Sequence, residues 1–556
     1  MKILTLHCDY INFKPLKKAL KEPEKTEKKE VKVKECLVVL TAVEKRDQGK
    51  NVLKLYLDNI KDIAKQVKAK TIVLYPYAHL SSDLASPSFA EKLMKDAEKQ
   101  LKGFKVFRAP FGWYKEFELK CKGHPLSELS REITAEGKVK ETFDCKQLLR
   151  QISKSRLDNS KLKENDHRVL GQKLDLFSFH DVAPGMIFWH PKGTIIRNEL
   201  IKFWREEHRK AGYKEILTPE IMDKKLWQIS GHWDKYSENN FLTDYEKRTF
   251  LIKPMNCPGG MLVYKATPKS YRDLPLRVGE LGTVHRQELS GVLGGIFRVV
   301  QFTQDDAHIY CTEKQLEDEV IRIIDLVELF YKKFKLPHRI ELSTRPKKRI
   351  GTDKQWDKAE KVLESVLKKK RIKYKLNKGD GAFYGPKIDF HVTDSLKRDW
   401  QLATIQLDFA MPERFELEYT DENNKKQIPV VLHRTVLGAL GRFIGILLEH
   451  TNGNLPTWLA PVQVRVLSFT ERNVKTAKKT AGQLSEFRVE TDFRNLTIQR
   501  KIRDAETEKV PYTILIGDKE EKNKTIALRK HGSKPQFGVK IDSFIKNLKQ
   551  EIENRK

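Results

Sequence analysis

The sequence predicts a multidomain protein of mixed α/β and α+β class, and three observations support this. A chain of 556 residues is too long for a single hydrophobic core. Both ends alternate strand-like and helix-like segments, which is typical of small α/β sheet domains. The middle of the chain instead carries two polar strands joined by a glycine-rich loop, which predicts an antiparallel hairpin.

Residues 1–140 are predicted to form a compact α/β domain. The Lys/Glu run from Lys17 to Lys34 interrupts it, and we expect a solvated hairpin arm there rather than a nucleic-acid contact. The start, MKILTLHCDYINF, has polar residues where a secretory signal needs an apolar stretch, so we expect a mature strand and a cytoplasmic protein. The predicted elements are strands at Lys2–Leu6, Glu35–Ala42 and Thr71–Leu74 and a helix at Val52–Val67.

Residues 141–165 are polar and charged without Gly or Pro, which favours a helical linker. The largest domain is predicted for 166–458. Its first helix should end before Gly212, a fitting stop residue, and a strand at Glu215–Thr218 should follow. The helical spacing is carried by Ile196, Leu200, Phe203 and Trp204.

Residues 459–556 are predicted to form a small α/β sheet domain. The segment opens with the strand VQVRVLSF and then alternates helices and strands. The elements expected after that strand are a helix at Asn473–Leu484, a strand at Phe487–Glu490, a helix at Leu496–Lys509 and a strand at Thr513–Ile516.

Charge and cysteine usage narrow the function classes. Lys and Arg exceed Asp and Glu by 31, which is enough to attract a polyanion such as nucleic acid. A charged surface suited to a hot or unusual habitat is the alternative. No apolar run reaches about 18 residues, so we expect no membrane segment. The six cysteines contain no CxxC pair and match no disulfide framework, so reduced thiols are expected at Cys8, Cys36, Cys121, Cys145, Cys257 and Cys311.

The densest group of polar residues lies between Arg277 and Tyr310. It indicates two strands joined by a glycine-rich loop between Glu288 and Gly295. If 298–310 is extended, the two-residue period of a strand places five side chains on one face. Such a row more often lines a ligand site than forms a satisfied structural network. The five residues are Arg298, Phe302, Gln304, Asp306 and His308.

This region resembles motif 2 of class II aminoacyl-tRNA synthetases, in the wording of threonyl-tRNA synthetases, through GELGTVHRQELSG and RVVQFTQDDAH. Further segments match that family in its order: KPMNCPGG, AFYGPKIDF, WQLATIQLDF and VVLHRTVLGALGRFIGILLEH. The segment IIRNELIKFWREEHRKAGYKEILTPEI resembles motif 1. The resemblance covers essentially all of 166–458 and implies a class II catalytic core built on an antiparallel sheet.

The resemblance implies a zinc site and an amino-acid pocket. Cys257, His308 and His433 would ligate one Zn²⁺ per subunit, whereas each alone would be taken for a buried thiol or a core imidazole. Three such ligands leave one open position on a tetrahedral ion. An ion that must bind the threonine hydroxyl rejects valine. Serine lacks only a methyl group, so this site should also accept some serine. The residues implied around threonine are Gln304, Asp306, Tyr384, Thr404 and Gln406.

The same resemblance implies ATP as a co-substrate, with Mg²⁺ bridging its phosphates. Arg286 and Arg298 match positions at the α-phosphate, and Arg442 matches the motif 3 arginine at the γ-phosphate. A guanidinium is always charged and binds phosphate in bidentate fashion, which suits this role. The implied catalytic residues are Arg286, Arg298, Arg442 and Lys387, and the implied ATP-binding residues are Arg286, Glu288, Arg298, Gln401 and Arg442.

Three positions depart from the family pattern. Many relatives have Arg at the place of Val300, and Ser and Glu at the places of Ala439 and Gly441. These departures bear on ATP affinity, but they leave every residue implied in catalysis or zinc binding in place.

The two ends resemble further domains of the family. Residues 1–140 are similar to the editing domain of archaeal threonyl-tRNA synthetases, itself similar to D-aminoacyl-tRNA deacylases, through LHCDYINF, AVEKRD, YPYAHLS and GWYKEFELKCKGHPLSELS. Residues 459–556 resemble the anticodon-binding domain, with Glu520 and Arg529 at positions that read RNA bases. Without the resemblance, the residues assigned to editing and to anticodon reading would be taken for surface residues. The editing positions map onto His79, Tyr114, Lys115 and Glu128.

Together the resemblances imply an enzyme that activates threonine with ATP, transfers it to tRNA(Thr) and hydrolyses mischarged seryl-tRNA(Thr). Motif 1 implies a homodimer. The editing domain, without the usual bacterial or eukaryotic extension, suggests an archaeal source. Two alternatives of other classes stay open, a deacylase with a decayed synthetase body and a nonenzymatic RNA-binding regulator. A prolyl or seryl synthetase is the nearest enzymatic alternative, against which the set Cys257, His308 and His433 argues.

Overall fold

The chain divides into two units, Met1–Asp144 and Cys145–Lys556. Most of the linker predicted for 141–165 lies outside the residues that this computed structural model describes. Cys145, for which a reduced thiol was predicted, also lies outside them. The described residues are 1–48, 51–133, 149, 162–235, 240–394 and 397–555.

The described part of the first unit comprises β1 (Lys2–Lys18), β2 (Val31–Ala42), α1 (Val52–Gln66), β3 (Thr71–Pro76), α2 (Pro87–Gln100), β4 (Lys105–Arg108), β5 (Trp113–Cys121) and β6 (Glu128–Glu132). The strands form a mixed sheet in the order β4-β3-β2-β1-β5, and β6 pairs with β1. The predicted α/β pattern is confirmed. The first strand continues to Lys18 rather than ending at Leu6, because both β2 and β5 pair with its second half.

The predicted hairpin arm lies between β1 and β2, which pair in antiparallel fashion. Most of this connection is exposed, as expected of a Lys/Glu run. Glu24 is the exception, since its carboxylate accepts two 2.6 Å hydrogen bonds from Arg108 and a 3.0 Å hydrogen bond from the Phe111 amide. Although burial opposes ionisation, these donors lower the pKa of Glu24 to about 2. The Glu24 carboxylate therefore helps to attach the arm to its own sheet, together with backbone hydrogen bonds from the Ala19 and Leu20 amides to the Gly112 carbonyl.

The second unit begins with the strands and helices that surround the central sheet. The described strands are β7 (Phe177–Ser178), β8 (Phe188–Trp189), β9 (Lys214–Glu215), β10 (Ile221–Asp223), β11 (Phe241–Tyr245), β12 (Arg248–Ile252), β13 (Leu276–His285), β14 (Gln301–Cys311), β15 (His338–Ser343), β16 (Tyr374–Asn377), β17 (Lys387–Thr393), β18 (Asp399–Asp408), β19 (Tyr419–Thr420), β20 (Lys426–Gln427) and β21 (Val430–Ala439). The described helices are α3 (His167–Lys173), α4 (Pro191–Lys210), α5 (Lys224–Ser230), α6 (His232–Lys235), α7 (Cys257–Lys265), α8 (Leu316–Lys333), α9 (Asp353–Lys369), α10 (Ala410–Arg414) and α11 (Leu440–Thr451).

Eight of these strands form the central sheet, in the order β16-β15-β17-β18-β21-β14-β13-β9. The pairs from β15 through β17, β18, β21 and β14 to β13 are antiparallel, and only the two outermost pairs are parallel. The predicted antiparallel hairpin is β13 and β14. The extended segment begins at Gln301 rather than Arg298, because the Gly294 amide donates to the Arg298 carbonyl at 3.1 Å in a turn.

Helix α4 confirms the predicted helix, and its four periodic apolar residues are buried. It ends before Gly212, whose φ of 80° is the left-handed conformation that suits glycine. The strand predicted for Glu215–Thr218 is wrong beyond Glu215. Thr218 donates its amide and its hydroxyl to the buried side-chain carboxylate of Glu280 on β13, at 2.9 and 2.8 Å, rather than to the backbone of that strand.

The remainder of the second unit comprises β22 (Val464–Ser468), α12 (Val474–Gln483), β23 (Val489–Asp492), α13 (Ile498–Thr507), β24 (Tyr512–Ile516), α14 (Asp518–Asn523), β25 (Ile526–Lys530), β26 (Gln536–Val539) and α15 (Ile541–Glu553). The sheet order is β23-β22-β24-β25-β26, parallel among the first three strands. This confirms the predicted alternation. No helix in the described part of the chain has the length and apolar character needed to cross a bilayer.

Candidate functional site

A cavity of about 420 Å³ opens on the face of the central sheet that carries Gln304 and Asp306. The sheet order explains the gathering of distant segments, because β14 lies between β13 and β21, and β18 adjoins β21. Every residue predicted for this unit's substrate and metal sites lines the cavity, except the buried His308. The predicted residues that line it are Cys257, Arg286, Glu288, Arg298, Gln304, Asp306, Tyr384, Lys387, Gln401, Thr404, Gln406, His433 and Arg442.

Cys257, His308 and His433, here called the thiol cluster, place one ligand atom each within 4.8 Å of the others. All three are buried. Cys257 is the first residue of α7, while His308 and His433 are direct partners across β14 and β21. Their rings stand edge to face with centroids 4.9 Å apart. The cross-strand pairing thus brings together two imidazoles that lie 125 residues apart in the sequence.

The hydrogen bonding of the thiol cluster fits a metal ion. The Nε2 atom of His308 is buried and has no hydrogen-bond partner. His433 Nε2 lies 2.8 Å from a carboxylate oxygen of Asp408, which orients the ring and leaves Nδ1 available as a ligand. Burial, and then the neighbouring His433 and Arg434, lower the pKa of His308 far below its usual value, so its imidazole is neutral, the form that binds metals.

Cys257 completes the set as the soft ligand. Burial, followed by the carboxylates of Asp306 and Asp408, raises the pKa of its thiol, so a cation is needed to stabilise the thiolate. One thiolate and two imidazoles match the donor set of a tetrahedral zinc ion with one open position.

The wall beside this cluster is organised by Asp389, a residue that the sequence analysis missed. Its buried carboxylate accepts hydrogen bonds from Gln401 at 2.6 Å and Thr404 at 2.8 Å, and it pairs with Lys387 at 2.8 Å. Asp389 stands two residues after Lys387 in the segment AFYGPKIDF, so strand periodicity already placed both on one face. One buried carboxylate therefore positions three predicted site residues.

Tyr384 and Gln406 share a short hydrogen bond on the same side of the cavity. Burial raises the pKa of Asp306 to about 6, and Asn256 donates to its carboxylate at 3.4 Å. A ligand that brings an ammonium group to Asp306 would favour its ionised form.

Three guanidinium groups, those of Arg286, Arg298 and Arg442, also line the cavity. Arg442 donates to the carbonyl oxygens of Phe297 at 2.8 Å and Gln401 at 3.3 Å. Its pKa is lowered by burial and then by Arg298 and Arg286, so positive charge accumulates in this part of the cavity. Such a concentration of charge favours a polyanionic ligand such as a triphosphate.

The departures from the family pattern are distributed unevenly around this site. Ala439 lines the cavity, whereas Val300 and Gly441 are not among its lining residues. Val300 is buried and donates its amide to the Gly185 carbonyl at 2.7 Å. A Cβ atom on Gly441 would lie 3.1 Å from the side chain of Ile187.

A second buried group, Asp166, His167 and Glu449, here called the carboxylate cluster, also brings three potential ligand atoms within 4.8 Å. Both imidazole nitrogens of His167 are engaged, one with Glu449 at 2.8 Å and the other with the Ile296 amide at 3.3 Å. Arg168 binds Asp166, and Arg398 binds Glu449, so cations already neutralise both carboxylates. No local feature of the sequence indicated this group.

The first unit contains its own cavity, of about 400 Å³. It is lined by three of the four predicted editing residues, His79, Tyr114 and Lys115, whereas Glu128 is exposed on β6 and does not line it. Burial lowers the pKa of Lys115 to about 8. Its ammonium donates to the carbonyls of Pro110 and Trp113 at 3.1 and 2.9 Å.

The two predicted anticodon residues lie on neighbouring elements of the last sheet domain. The Glu520 carboxylate accepts a 3.1 Å hydrogen bond from the Gly517 amide at the start of α14. Arg529, on β25, donates to Glu506 at 3.0 Å. Both side chains therefore make contacts within their own domain in this structure.

Comparison with known families assigns the three predicted domains. Residues 1–133 match the archaea-specific editing domain of threonyl-tRNA synthetase. Residues 240–451 match the tRNA synthetase class II core domain (G, H, P, S and T), and residues 463–551 match an anticodon binding domain. These matches confirm the predicted fold class.

Individual relatives agree with these families. The threonine–tRNA ligase of Caldanaerobacter subterraneus is 54% identical over 392 residues, which are 70% of this chain and 61% of that protein. That of Desulforamulus reducens is 52% identical over 395 residues, 71% of this chain and 62% of that protein. This chain thus spans about three fifths of the length of the curated relatives that it matches.

Solved structures provide a further comparison. The RNA binding domain of threonyl-tRNA synthetase from Cryptosporidium parvum has a TM-score of 0.68 and 42% identity, covering 69% of this chain and 98% of that one. A putative threonyl-tRNA synthetase, ThrRS-1, from Aeropyrum pernix has a TM-score of 0.62 and 27% identity, covering 70% and 97%.

Proposed function

This chain belongs to the threonyl-tRNA synthetase family, and on that premise we propose that it ligates threonine to tRNA(Thr) with ATP. We further propose that its N-terminal domain hydrolyses seryl-tRNA(Thr). The reaction supplies threonyl-tRNA to translating ribosomes, so we assign the protein to the cytoplasm. The domain limits proposed are 1–140 for editing, 166–458 for catalysis and 459–556 for anticodon binding, with 141–165 as linker.

The observation that carries the proposal is the thiol cluster beside a cavity rich in arginine. A zinc ion held by Cys257, His308 and His433 would supply a Lewis-acidic position for the amino group and hydroxyl of threonine. Asp306 lies on the same wall and suits the ammonium group, while Tyr384 and Gln406 offer hydrogen bonds to the rest of the amino acid. Valine carries no hydroxyl, so this pocket would reject it.

The guanidinium side of the cavity suits the triphosphate. Arg286 and Arg298 would hold the α-phosphate so that the threonine carboxylate attacks it in line, and Arg442 would hold the γ-phosphate. Glu288 pairs with Arg298 at 2.9 Å and would face the adenine. The proposed catalytic and substrate-binding residues also include Gln304, Thr404, Gln401 and Lys387. A class II core implies Mg²⁺ bound with the nucleotide.

Serine retains the hydroxyl and loses only a methyl group, which is worth about 1–3 kcal/mol of discrimination. The cavity of the first unit supports the proposal that mischarged serine is removed there. Lys115 and Tyr114 would position the ester and a water molecule, with His79 nearby. Glu128 remains a proposed editing residue, although it does not line the cavity. Glu520 and Arg529 would exchange their present contacts for anticodon bases.

We also propose a homodimer through α4. A cavity of about 690 Å³ lies along that helix, bounded by Arg205, Tyr213 and Glu215 and without any of the predicted catalytic residues. A two-fold partner would cover this surface with the same surface of its own. Light scattering should give twice the mass of one chain, and a monomer would contradict the proposal.

Amino-acid-dependent ATP–pyrophosphate exchange tests the main proposal. We expect exchange with threonine, weaker exchange with serine and none with valine, and loss of exchange after zinc chelation. If no amino acid supports exchange but seryl-tRNA(Thr) is hydrolysed, the catalytic domain is inactive and the protein is a deacylase. If neither reaction occurs and tRNA is still bound, the RNA-binding regulator is the better description.

A second assay isolates the editing step. Lys115→Met should abolish hydrolysis of seryl-tRNA(Thr) and leave threonine-dependent exchange unchanged, because Lys115 belongs to the other unit. Lys99→Met, at an exposed position of α2, is the matched control. Equal hydrolysis by both variants would remove Lys115 from the proposed editing site.

A further inference from the structure

Three cysteines lie side by side on adjacent strands of the first unit. Cys8 on β1 is the direct partner of Cys36 on β2 and of Cys121 on β5. Directly opposed residues of antiparallel strands point to the same face of the sheet, so the three thiols share one face. None of them belongs to the cavity that contains Lys115.

The pair Cys8 and Cys121 has the geometry of a cross-strand disulfide precursor. The Lys122 amide donates to the His7 carbonyl at 2.8 Å, which makes the preceding pair, Cys8 and Cys121, a non-hydrogen-bonded one. Such pairs bring their Cα atoms to about 4.5 Å. Disulfides span Cα distances of about 4.4–6.8 Å, a range that includes this spacing, and the pairing of the two cysteines stands immediately before a register shift between Cys8 and Tyr10.

The direction of the Cys8 pKa shift agrees with the proximity of the two thiols, which the strand register establishes. The pKa of Cys8 is raised to about 12, first by burial and then by Cys121 and Cys36, including a hydrogen bond with the Cys121 side chain. Cys8 and Cys36 are fully buried, whereas Cys121 is partly exposed. A dissolved oxidant therefore reaches Cys121 first, and the buried Cys8 is the neighbouring thiol that can react with the oxidised Cys121.

We propose that Cys121 and Cys8 form a reversible thiol–disulfide site that responds to hydrogen peroxide. The Cys121 thiolate attacks one peroxide oxygen, the O–O bond breaks, hydroxide leaves, and a sulfenic acid forms. The Cys8 sulfur then attacks the sulfenic sulfur, the S–O bond breaks, and water leaves as the S–S bond forms. In total two thiols lose two electrons and two protons, and one peroxide becomes two waters.

A metal site is the competing explanation, and the geometry favours the disulfide. The Cys36 thiol contacts the Val33 carbonyl at 3.6 Å, and the Cys8 thiol contacts the Leu6 carbonyl at 3.5 Å. Within the described residues, only the thiol and carboxylate clusters of the second unit bring three ligand atoms together. The three cysteines of the sheet thus provide a reactive pair with a third thiol beside it.

The cross-link would join β1 to β5, the strand that carries Tyr114 and Lys115. It closes a long loop of the chain, so it should stabilise the unit chiefly by restricting its unfolded state. Hydrogen exchange should therefore slow in β1 and β5 of the oxidised full-length protein, and recover on reduction.

The test uses the full chain treated with graded hydrogen peroxide, alkylated and mapped under non-reducing conditions. We expect the Cys8 and Cys121 peptides to become joined, with the loss of two alkylatable thiols, and to separate after a dithiol reductant. Cys36→Ser should still form the link. Cys121→Ser, at the partly exposed position, should leave the buried Cys8 reduced and open to alkylation once the protein is denatured.

Three results would overturn the proposal. The first is sulfinic acid on Cys121 without a link, and the second is a Cys8–Cys36 link in place of the expected one. The third is zinc or copper bound to these thiols in the untreated protein and released by peroxide. Because the readout is covalent, it does not depend on any synthetase activity.

Discussion

The thiol cluster and the carboxylate cluster look alike when only ligand atoms are considered. Each is buried, each contains histidine, and each gathers three potential ligands within 4.8 Å. They differ in what else the ligands touch. His308 leaves one ring nitrogen unpartnered, whereas both ring nitrogens of His167 are engaged.

The charges differ in the same way. Arg168 and Arg398 already neutralise the carboxylates of Asp166 and Glu449. Around the thiol cluster, Asp306 and Asp408 contribute negative charge that favours a cation. Convergence of ligands therefore does not define a metal site, because the remaining hydrogen-bonding capacity decides whether an ion is needed.

The largest expected effect comes from removing the soft ligand of the thiol cluster. Cys257→Ala should remove the bound zinc and lower threonine-dependent exchange by more than about 100-fold, since even supporting residues of metal sites change affinity by about 10–100-fold. Metal analysis by atomic absorption and the exchange assay measure the two effects. The wild type should contain one zinc per chain, and a second equivalent would mean that the carboxylate cluster also binds metal.

Cys311→Ala is the matched control for that variant. Cys311 is another fully buried cysteine, three residues beyond His308 on β14, and it belongs to neither cluster. It should retain zinc and exchange. Full zinc and activity in Cys257→Ala would show that the thiol cluster is only a structural group.

A smaller effect, on stability, is expected from the carboxylate cluster. Glu449→Ala removes the acceptor of the buried His167 imidazole and one of the two carboxylates that Arg398 contacts, the other being Asp394, and leaving a buried polar group unsatisfied costs about 1–3 kcal/mol. Urea denaturation should show a corresponding fall in the free energy of unfolding, with zinc content unchanged. Glu413→Ala, at an exposed position of α10, should change neither quantity. Loss of zinc in Glu449→Ala would mean that the two clusters are coupled.

The smallest expected effect is a pH dependence of the carboxylate cluster. Burial opposes ionisation of Asp166, but hydrogen bonds from the side chain and amide of Arg168 lower its pKa below the usual value. The contribution of the Asp166 carboxylate to the free energy of unfolding is therefore complete above its unfolded-state pKa of about 4. It is lost as the pH falls through the lower pKa of the folded state. Denaturation at acidic pH should show a shallower loss of stability in Asp166→Asn than in the wild type. Parallel curves would contradict the assignment.

Much of the architecture was predictable from local patterns. The apolar spacing of α4 and the alternation of helices and strands around β22–β24 depend on residues close together in sequence. Helix and strand periods can be recognised within such short segments. The row Gln304, Asp306 and His308 was placed on one face by the strand period alone. The strand predicted at Glu215–Thr218 does not extend to Thr218, because the amide and hydroxyl of Thr218 donate to the side chain of a distant residue, Glu280.

The candidate site was predictable in part. The ligand set was implied by resemblance to a family, and the structure brings the three ligands together. Asp389 and Asp408 stand inside the segments that carried the resemblance, yet their supporting roles became visible only with their partners in place. Glu128 was grouped with the editing residues, but β6 places it outside the cavity that the other three line.

By itself, then, the sequence determined the order of the domains, the helix and strand periods, and which chemical groups are available at each position. Only the tertiary structure decided that His433 meets His308, that His167 meets Glu449 across 282 residues, and that Cys8 lies between Cys36 and Cys121. The physical reason is that strand order and register depend on which faces must be buried across the whole sheet, and no local window of sequence contains that information.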